Sequence, residues 1–373
     1  MSAIDQPAIP KGSTVLVTGG NGFIGSNISD QLLKLGYKVR GTTRNPSKST
    51  WVSDLFDRKY GPGLFELVAV PDMEAEGAYD EVVKGVSAVI HTATNYTMNP
   101  NPHEVIPGTS SRMHAKRNDL HLKRQLLTPD IAVTGTINAL AAAAKVPSVK
   151  RFVLTSSSAS ALIPKPNDPV TVTTETWNQE TVEYAYRDPP YEEERGYPVY
   201  AASKILSEKE AWKFMAEKKP DFVLNTVLPN INFGASLDFA NQGHPSTSGL
   251  VVELFKGNWQ PLAGLPAPDE NDVSEYFVDV QDTALLHVAA AIHPGVESER
   301  VFSFAEPVNG DSMLAILRKL YPDRTFPENF QGDKDLSDIV PRKRASELLR
   351  DMGKPEGWTS LEESIKRNTE DLI

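Results

Sequence analysis

The sequence predicts an α/β fold, a doubly wound parallel sheet followed by a smaller C-terminal lobe. Three observations predict it. A charge-free, apolar and β-branched run, Thr14 to Thr18, leads into a turn crowded by Gly19, Gly20, Gly22 and Gly25, and an apolar-periodic helix follows. Strand and helix patterns then alternate as far as Pro229, which implies parallel pairing with right-handed crossovers. Beyond Pro229 the alternation weakens, and Pro/Gly-rich loops (Gly234 to Gly249, Gly257 to Pro268) separate shorter elements.

The first strand carries no charge, so it is expected to be buried on both faces. The helix after it repeats Phe23, Ile24, Ile28, Leu32, Leu33 and Leu35. Strand, glycine turn and helix together open a dinucleotide-binding βαβ unit of Rossmann type. One glycine allows the tight turn, one lets backbone approach a pyrophosphate, and Gly25 lets helix pack closely on strand. The N–H groups of the first helical turn then hold the phosphate charge. The spacing is Gly19-x-x-Gly22-x-x-Gly25 rather than G-x-G-x-x-G, so the flanking strand and helix carry the assignment.

Further strands are expected at Tyr37 to Thr43, Leu64 to Val70, Ser87 to Thr92, Lys150 to Thr155 and Phe222 to Leu228. A short helix is expected at Tyr79 to Lys84, closed by Gly85. A longer one spans Pro129 to Lys145, capped by Thr128 with Pro129 in its first turn. The longest covers Val199 to Lys218, and later helices fall at Val280 to Ala291, near Met313 to Leu320 and at Ser360 to Lys366. Residues 1–230 are thus expected to form the nucleotide-binding domain and 231–373 the substrate-binding lobe, partly interleaved. Ligands in such sheets bind at the carboxyl ends of the strands, where chain order reverses.

With 373 residues, 40% of them hydrophobic, the chain can bury a sizeable core. A net charge of -11 argues against nucleic-acid or membrane-surface partners. There is no cysteine, which excludes disulfides and thiolate metal sites, and the seven histidines, His91 and His287 among them, show no metal-ligand spacing. Met1 to Gly12 lacks an apolar signal core, and no apolar run would span a bilayer. A cytoplasmic protein, monomer or homodimer, is expected.

Two stretches carry chemistry. Tyr200 and Lys204 stand four apart on one helix face. A phenol is a poor acid–base group at neutral pH, and an ammonium beside it favours phenolate, which suits proton transfer to or from an oxygen. Thr155-Ser156-Ser157-Ser158 follows a strand, so its hydroxyls project into the same crevice and can bond a carbonyl oxygen. Taken with the glycine turn, these describe hydride transfer with an acid–base tyrosine.

The order T-G-x-x-G-x-x-G, T-S-S, Y-x-x-x-K resembles the extended short-chain dehydrogenase/reductases, most closely the microbial NADPH-dependent aldehyde and ketone reductases. The resemblance runs through Gly36 to Gly41, Gly77 to Glu81, Ser148 to Ser156, Ala161 to Pro166, Tyr200 to Lys204, Val227 to Asn230 and Leu361 to Lys366. It implies a catalytic Ser157, Tyr200 and Lys204, with Ser158 the alternative serine and Asn138 a weaker relay candidate. It implies cofactor contacts from Gly19, Asn21, Gly22, Phe23, Ile24, Met73, Thr92 and Ala93. It also places Asp72 on adenine and the Pro229 backbone on the nicotinamide carboxamide.

Cofactor choice has a physical argument as well. Enzymes of this fold that take NAD put a carboxylate at the end of the second strand to accept the ribose 2′-OH. Arg40 to Lys48 contains no acid, whereas Arg44 and Lys48 would attract a 2′-phosphate. NADPH is therefore expected. The implied reaction is reduction of an aldehyde or ketone to an alcohol. The alternatives are a nucleotide-sugar epimerase or dehydratase and a non-catalytic NADP-sensing protein. Tyr96, Asn230, Phe233 and Trp259 are candidates for the substrate pocket, with ordinary core or loop packing as the alternative. The more distantly similar plant reductases carry a polar residue shortly after the serines that meets a flavonoid; the corresponding Ala159 to Ile163 is mostly small and apolar, so the resemblance implies that a flavonoid is disfavoured.

One stretch departs from the resemblance. About 20 extra residues near Gly108 to Leu127 separate Glu104-Val-Ile-Pro107 from the helix at Gly135 to Leu140, which is long for a connection in a compact domain. From Arg112 to Arg124 this stretch holds five Lys/Arg and two His against one Asp. It suits a functional lid or docking loop, a disordered insertion, or the product of a mis-spliced gene.

Overall fold

The computed structural model describes residues 4, 6–94, 97–106, 131–165, 167–258 and 274–373. Its strands are β1 (Thr14–Thr18), β2 (Lys38–Thr43), β3 (Phe65–Ala69), β4 (Ala88–His91), β5 (Arg151–Thr155), β6 (Thr171–Val172), β7 (Val223–Pro229), β8 (Ile231–Phe233), β9 (Glu275–Asp279), β10 (Arg300–Ser303), β11 (Glu306–Val308) and β12 (Asp338–Ile339). Seven of them form one parallel sheet in the order β10-β7-β5-β4-β1-β2-β3. Chain order reverses between β1 and β4, so the crevice at the carboxyl ends of those two strands is the expected place for a ligand.

Strand alternation sorts the core onto two faces. Val15, Val17, Val153 and Val227 pack with Ile28 and Leu32 of the helix Phe23–Lys34 and with Val288 and Ala289 of the helix Val280–Ile292. Leu16, Phe152, Leu154 and Leu224 point the other way, against Ala139 and Leu140 of the helix Ile131–Ala144 and Ala211 of the helix Gly196–Lys218. The glycine-turn helix therefore packs beside a helix more than 250 residues later in the chain.

Three features were not anticipated. Tyr79 to Lys84 forms successive turns rather than a helix, because Gly77 (φ 74°) and Gly85 (φ 75°) bracket it in left-handed conformations and too few residues lie between them to propagate one. A helix at Thr50–Tyr60, ended by Gly61 at φ 94°, packs on the edge strand β3 through Phe56, whose ring lies 4.8 Å from that of Phe65. The seventh main-sheet strand, β10, comes from beyond Pro229, so the chain returns to the cofactor side after entering the smaller lobe. The Thr128 and Pro129 cap and the Gly108 to Leu127 stretch lie outside the described residues.

The smaller lobe holds a sheet of order β11-β9-β8 and the short pair β12-β6. Phe233 and Phe277 stack there at 5.9 Å, over Leu250, Leu254, Met313, Leu317 and Ile365. A single residue, Asn230, separates β7 of the main sheet from β8. Among the described residues no helix is long and apolar enough to cross a membrane.

Candidate active site

A cleft of about 790 Å³ runs along the carboxyl ends of the strands, from Arg44, Asp72 and Met73, past the glycine turn, to Ser157, Tyr200, Lys204, Pro229 and Asn230. Backbone geometry shapes its first half. Gly19 sits at φ 67°, and a Cβ on Gly25 would lie 2.2 Å from the Gly19 carbonyl oxygen. Gly20 donates its N–H to the Thr42 carbonyl at 2.9 Å, which seats the turn on β2. Gly22 caps the helix without any side-chain hydrogen bond and spends its own N–H on the Gly19 carbonyl at 2.9 Å, while Phe23 and Ile24 line the cleft at the helix N-terminus, an arrangement suited to a phosphate. Asn21 is held from both sides. Its Nδ2 donates to Ser49 Oγ at 3.0 Å, and its carbonyl accepts Gln242 Nε2 from the smaller lobe at 3.2 Å.

Thr18 organises the next contact. Its hydroxyl oxygen accepts the N–H groups of Thr92 and Ala93, each at 3.0 Å. Both lone pairs being used, its hydrogen points to His91 Nδ1 at 3.0 Å. Neutral His91 must then carry its proton on Nε2, an atom buried without a partner. Burial, helped by the charge of Lys204, pulls His91 down to about 3. Thr92 and Ala93 line the cleft beside the glycine turn.

At the far end of this half, Arg44 lines the cleft. Lys48 ends a short 3-10 turn (Pro46–Lys48), exposed and outside the lining residues. Asp72 Oδ1 accepts the Glu74 N–H at 2.9 Å. Asn138 Nδ2 donates to the carbonyls of Met73, Glu74 and Ala75 at 3.1, 3.0 and 3.0 Å. Asn138 thus pins the loop after β3 through its side-chain amide.

Side chains shape the second half. Ser157 caps a 3-10 turn and accepts the Ala159 N–H at 3.3 Å, while Ser156 donates to Glu208 at 2.6 Å and so is already engaged. Ser157, Ser158, Tyr200 and Lys204 all line the cleft. Lys204, buried, donates Nζ to the Thr155 carbonyl at 2.6 Å. Burial pulls its pKa down to about 8, and Glu208 opposes that fall. Thr155 also reaches His287. His287 Nδ1 lies 2.7 Å from the Thr283 carbonyl, which only accepts, so Nε2 takes the Thr155 hydroxyl proton at 2.8 Å. Burial pulls His287 down to about 4, so both buried histidines stay neutral around the lysine.

On the substrate side Asn230 lines the cleft and hydrogen-bonds Glu275, whose pKa is pushed up to about 8 by burial and by Asp335. Phe233 does not line the cleft: it is fully buried in the smaller lobe, where stacking on Phe277 takes its ring. Tyr96 and Trp259 lie outside the described residues. Sequence reasoning missed Met98, Tyr197 and Thr247, which line the cleft. Gly196 opens the Tyr200 helix, and a Cβ there would meet the Met98 carbonyl oxygen at 2.3 Å.

A dinucleotide suits this cleft. A Cβ added at Gly25 would strike the Gly19 carbonyl, the glycine turn opens a helix whose N-cap has no side-chain bond, and the cation Arg44 lines the same cleft. No cluster of metal-ligating side chains occurs among the described residues.

A parallel sheet with a glycine turn at its switch point, and a Ser/Tyr/Lys constellation across the crevice, defines a nucleotide-dependent dehydrogenase type of site. The sequence pattern of the NAD dependent epimerase/dehydratase family matches residues 15–106. Aldehyde reductase 2 of Sporidiobolus salmonicolor is 44% identical over 371 residues, covering 98% of each chain. The ketoreductase adrE of Penicillium rubens is 37% identical over 372 residues, again covering 98% of each. The crystal structure of yeast methylglyoxal/isovaleraldehyde reductase Gre2 complexed with NADPH superposes with a TM-score of 0.73 at 26% identity, over 96% of this chain and 98% of that one. The chain belongs to the epimerase/dehydratase family, the extended short-chain dehydrogenase/reductases.

Proposed function

We propose that this chain reduces aldehyde or ketone carbonyls to alcohols by hydride transfer, with Tyr200 as the general acid. The chain is an oxidoreductase and its cofactor is NADPH. The observation that carries the mechanism is the convergence of Ser157, Tyr200 and buried Lys204 on one cleft with the glycine turn. In the same reading residues 1–230 hold the cofactor and 231–373 build the substrate-binding lobe, with β10 and the helix Val280–Ile292 returned to the cofactor sheet.

Gly19, Asn21, Gly22, Phe23 and Ile24 hold the pyrophosphate, Arg44 the 2′-phosphate, and Asp72 and Met73 border the adenine. Thr92, Ala93 and the Pro229 backbone orient the nicotinamide end. When bound, NADPH supplies the hydride. Ser157 donates a hydrogen bond to the carbonyl oxygen and so polarises the carbon. Tyr200 gives its phenolic proton to that oxygen as charge develops on it, leaving alcohol and phenolate. Lys204 stabilises the phenolate and thereby lowers the cost of the transfer. Asn230 borders the substrate, its amide fixed by Glu275.

Arg44 to Lys48, which follow β2 in the chain, contain no acid, which counts against an epimerase retaining NAD. Tyr200→Phe tests the reading. Removing the acid should lower kcat at least about a hundredfold, followed as NADPH consumption with a panel of aldehydes and β-ketoesters, while fluorescence titration shows NADPH still bound. Wild-type turnover in that variant would refute Tyr200 as the acid.

A further inference from the structure

Glu208 lies one turn beyond Lys204 on the same helix, and its side chain is fully buried. Three strands converge on its carboxylate. Ser156, just past β5, donates its hydroxyl to Oε2 at 2.6 Å, and Thr226 of β7 donates to Oε1 at 2.8 Å. Arg300 of β10 donates Nε to Oε1 at 2.8 Å and Nη2 to Oε2 at 3.4 Å. Trp212, a turn further along the helix, donates Nε1 to Oε1 at 3.4 Å. Arg300 is itself anchored, donating Nη1 to the carbonyls of Thr174 and Thr176 at 2.6 and 2.8 Å. A buried anion satisfied from so many directions fixes its partners, because moving any one leaves charge unpaired in a low dielectric. Two neighbours of this anion face the reaction: Ser157 follows Ser156, and Lys204 is one turn away.

We propose that Glu208 is a positioning residue for the reaction: it locks the end of β5 to the helix of Tyr200 and Lys204, and its buried carboxylate, one turn from Lys204, is the counter-charge to that ammonium. The inference rests on the Ser157/Tyr200/Lys204 reading above. The groups around Lys204 support its electrostatic half. His91 of β4 and His287 of the helix Val280–Ile292 face it as neutral rings, and each feels its charge. Tyr200 shares its helix face, while Arg300 of β10 pairs with Glu208 itself, and its charge is felt by Lys209 of the same helix. Glu208 is the group whose charge opposes the loss of the Lys204 proton on burial.

Trace acetylation of the cofactor-free protein across pH, read at Lys204 by mass spectrometry, follows the ionisation of Lys204 directly. In Glu208→Gln the half-point should fall by about one pH unit. The alkaline limb of kcat should fall with it, because the Tyr200/Lys204 pair gives up its first proton sooner, and KM for NADPH should stay within about twofold. A purely structural Glu208 would lower the melting temperature and leave both half-points in place; that outcome overturns the proposal. Ser156→Ala removes one donor and no charge, so it carries the test should the Glu208→Gln chain not fold. Its kcat should drop about tenfold at unchanged KM for NADPH, and an unchanged kcat overturns the positioning role. The labelling needs neither substrate nor turnover, so its failure is separable from failure of the Tyr200 chemistry, which Tyr200→Phe tests alone.

Discussion

The two ends of the cleft are made of different material. The cofactor end is mostly backbone: Gly19 in a left-handed conformation, Gly25 against a carbonyl, and a helix N-terminus without a side-chain cap. The catalytic end is side chain: buried Lys204, Glu208 and His287, with Arg300 paired to Glu208, drawn from two helices and a strand. Backbone sites are rigid by steric necessity and tolerate no added atom. Side-chain sites are rigid through hydrogen bonds, and they respond to pH.

Substitutions can break that contrast. The largest effect belongs to Gly25→Ala. The added methyl has a backbone carbonyl 2.2 Å away and nothing flexible to displace, so about 3 kcal/mol or more of stability should go, with NADPH affinity lost more than about a hundredfold. A melting curve and a fluorescence titration check both, and normal NADPH binding would show that the turn is more yielding than described.

Acid should act on the other end. His287 is held near 4 when folded, against about 6.5 when unfolded. Its native pKa being the lower one, the unfolded chain takes the proton first, and stability drains as pH falls from about 6.5 towards 4, by roughly 3 kcal/mol. His91, lower still, adds in the same direction. Denaturant melts across that window should show the slope, and His287→Asn should flatten it; an unchanged slope would remove His287 from the account.

Arg44→Asp comes next. With Arg44 holding the 2′-phosphate as proposed, a carboxylate in its place repels that group, so KM for NADPH should rise about a hundredfold while KM for NADH changes less than about threefold. Lys48→Ala should be the smallest, under about threefold, because Lys48 stands outside the cleft lining. A larger effect than that of Arg44 would reverse their roles.

The same contrast decides what the sequence could tell. A backbone site is encoded locally, and Thr14 to Gly25 announces strand, turn and helix within a dozen residues. Tyr200 and Lys204 were legible because helical spacing pairs them. Glu208, Thr226 and Arg300 were not, since their meeting depends on β7 and β10 being neighbours and no local pattern records that. Phe233 was misread for a related reason: an aromatic just past a cleft strand suits a pocket or a core equally, and strand alternation turned it inward onto Phe277. Asn138 was placed on the right helix, but only the fold brings the carbonyls of Met73, Glu74 and Ala75 to its amide.

The single-residue join at Asn230 has a consequence for anyone recombining these proteins. β7 and β8 are nearly one continuous strand shared between two sheets, and Asn230 sits in the cleft between them. A chimera cut there would sever the wall of the pocket and strand β10 on the wrong parent. Exchanging the segment around Met98 leaves that seam whole, whereas the loop around Thr247 can be exchanged only if its threonine, which bonds both backbone groups of Asn232, is kept. New substrate preferences should therefore graft as short loop cassettes, whereas whole-lobe swaps should yield chains that fail to assemble.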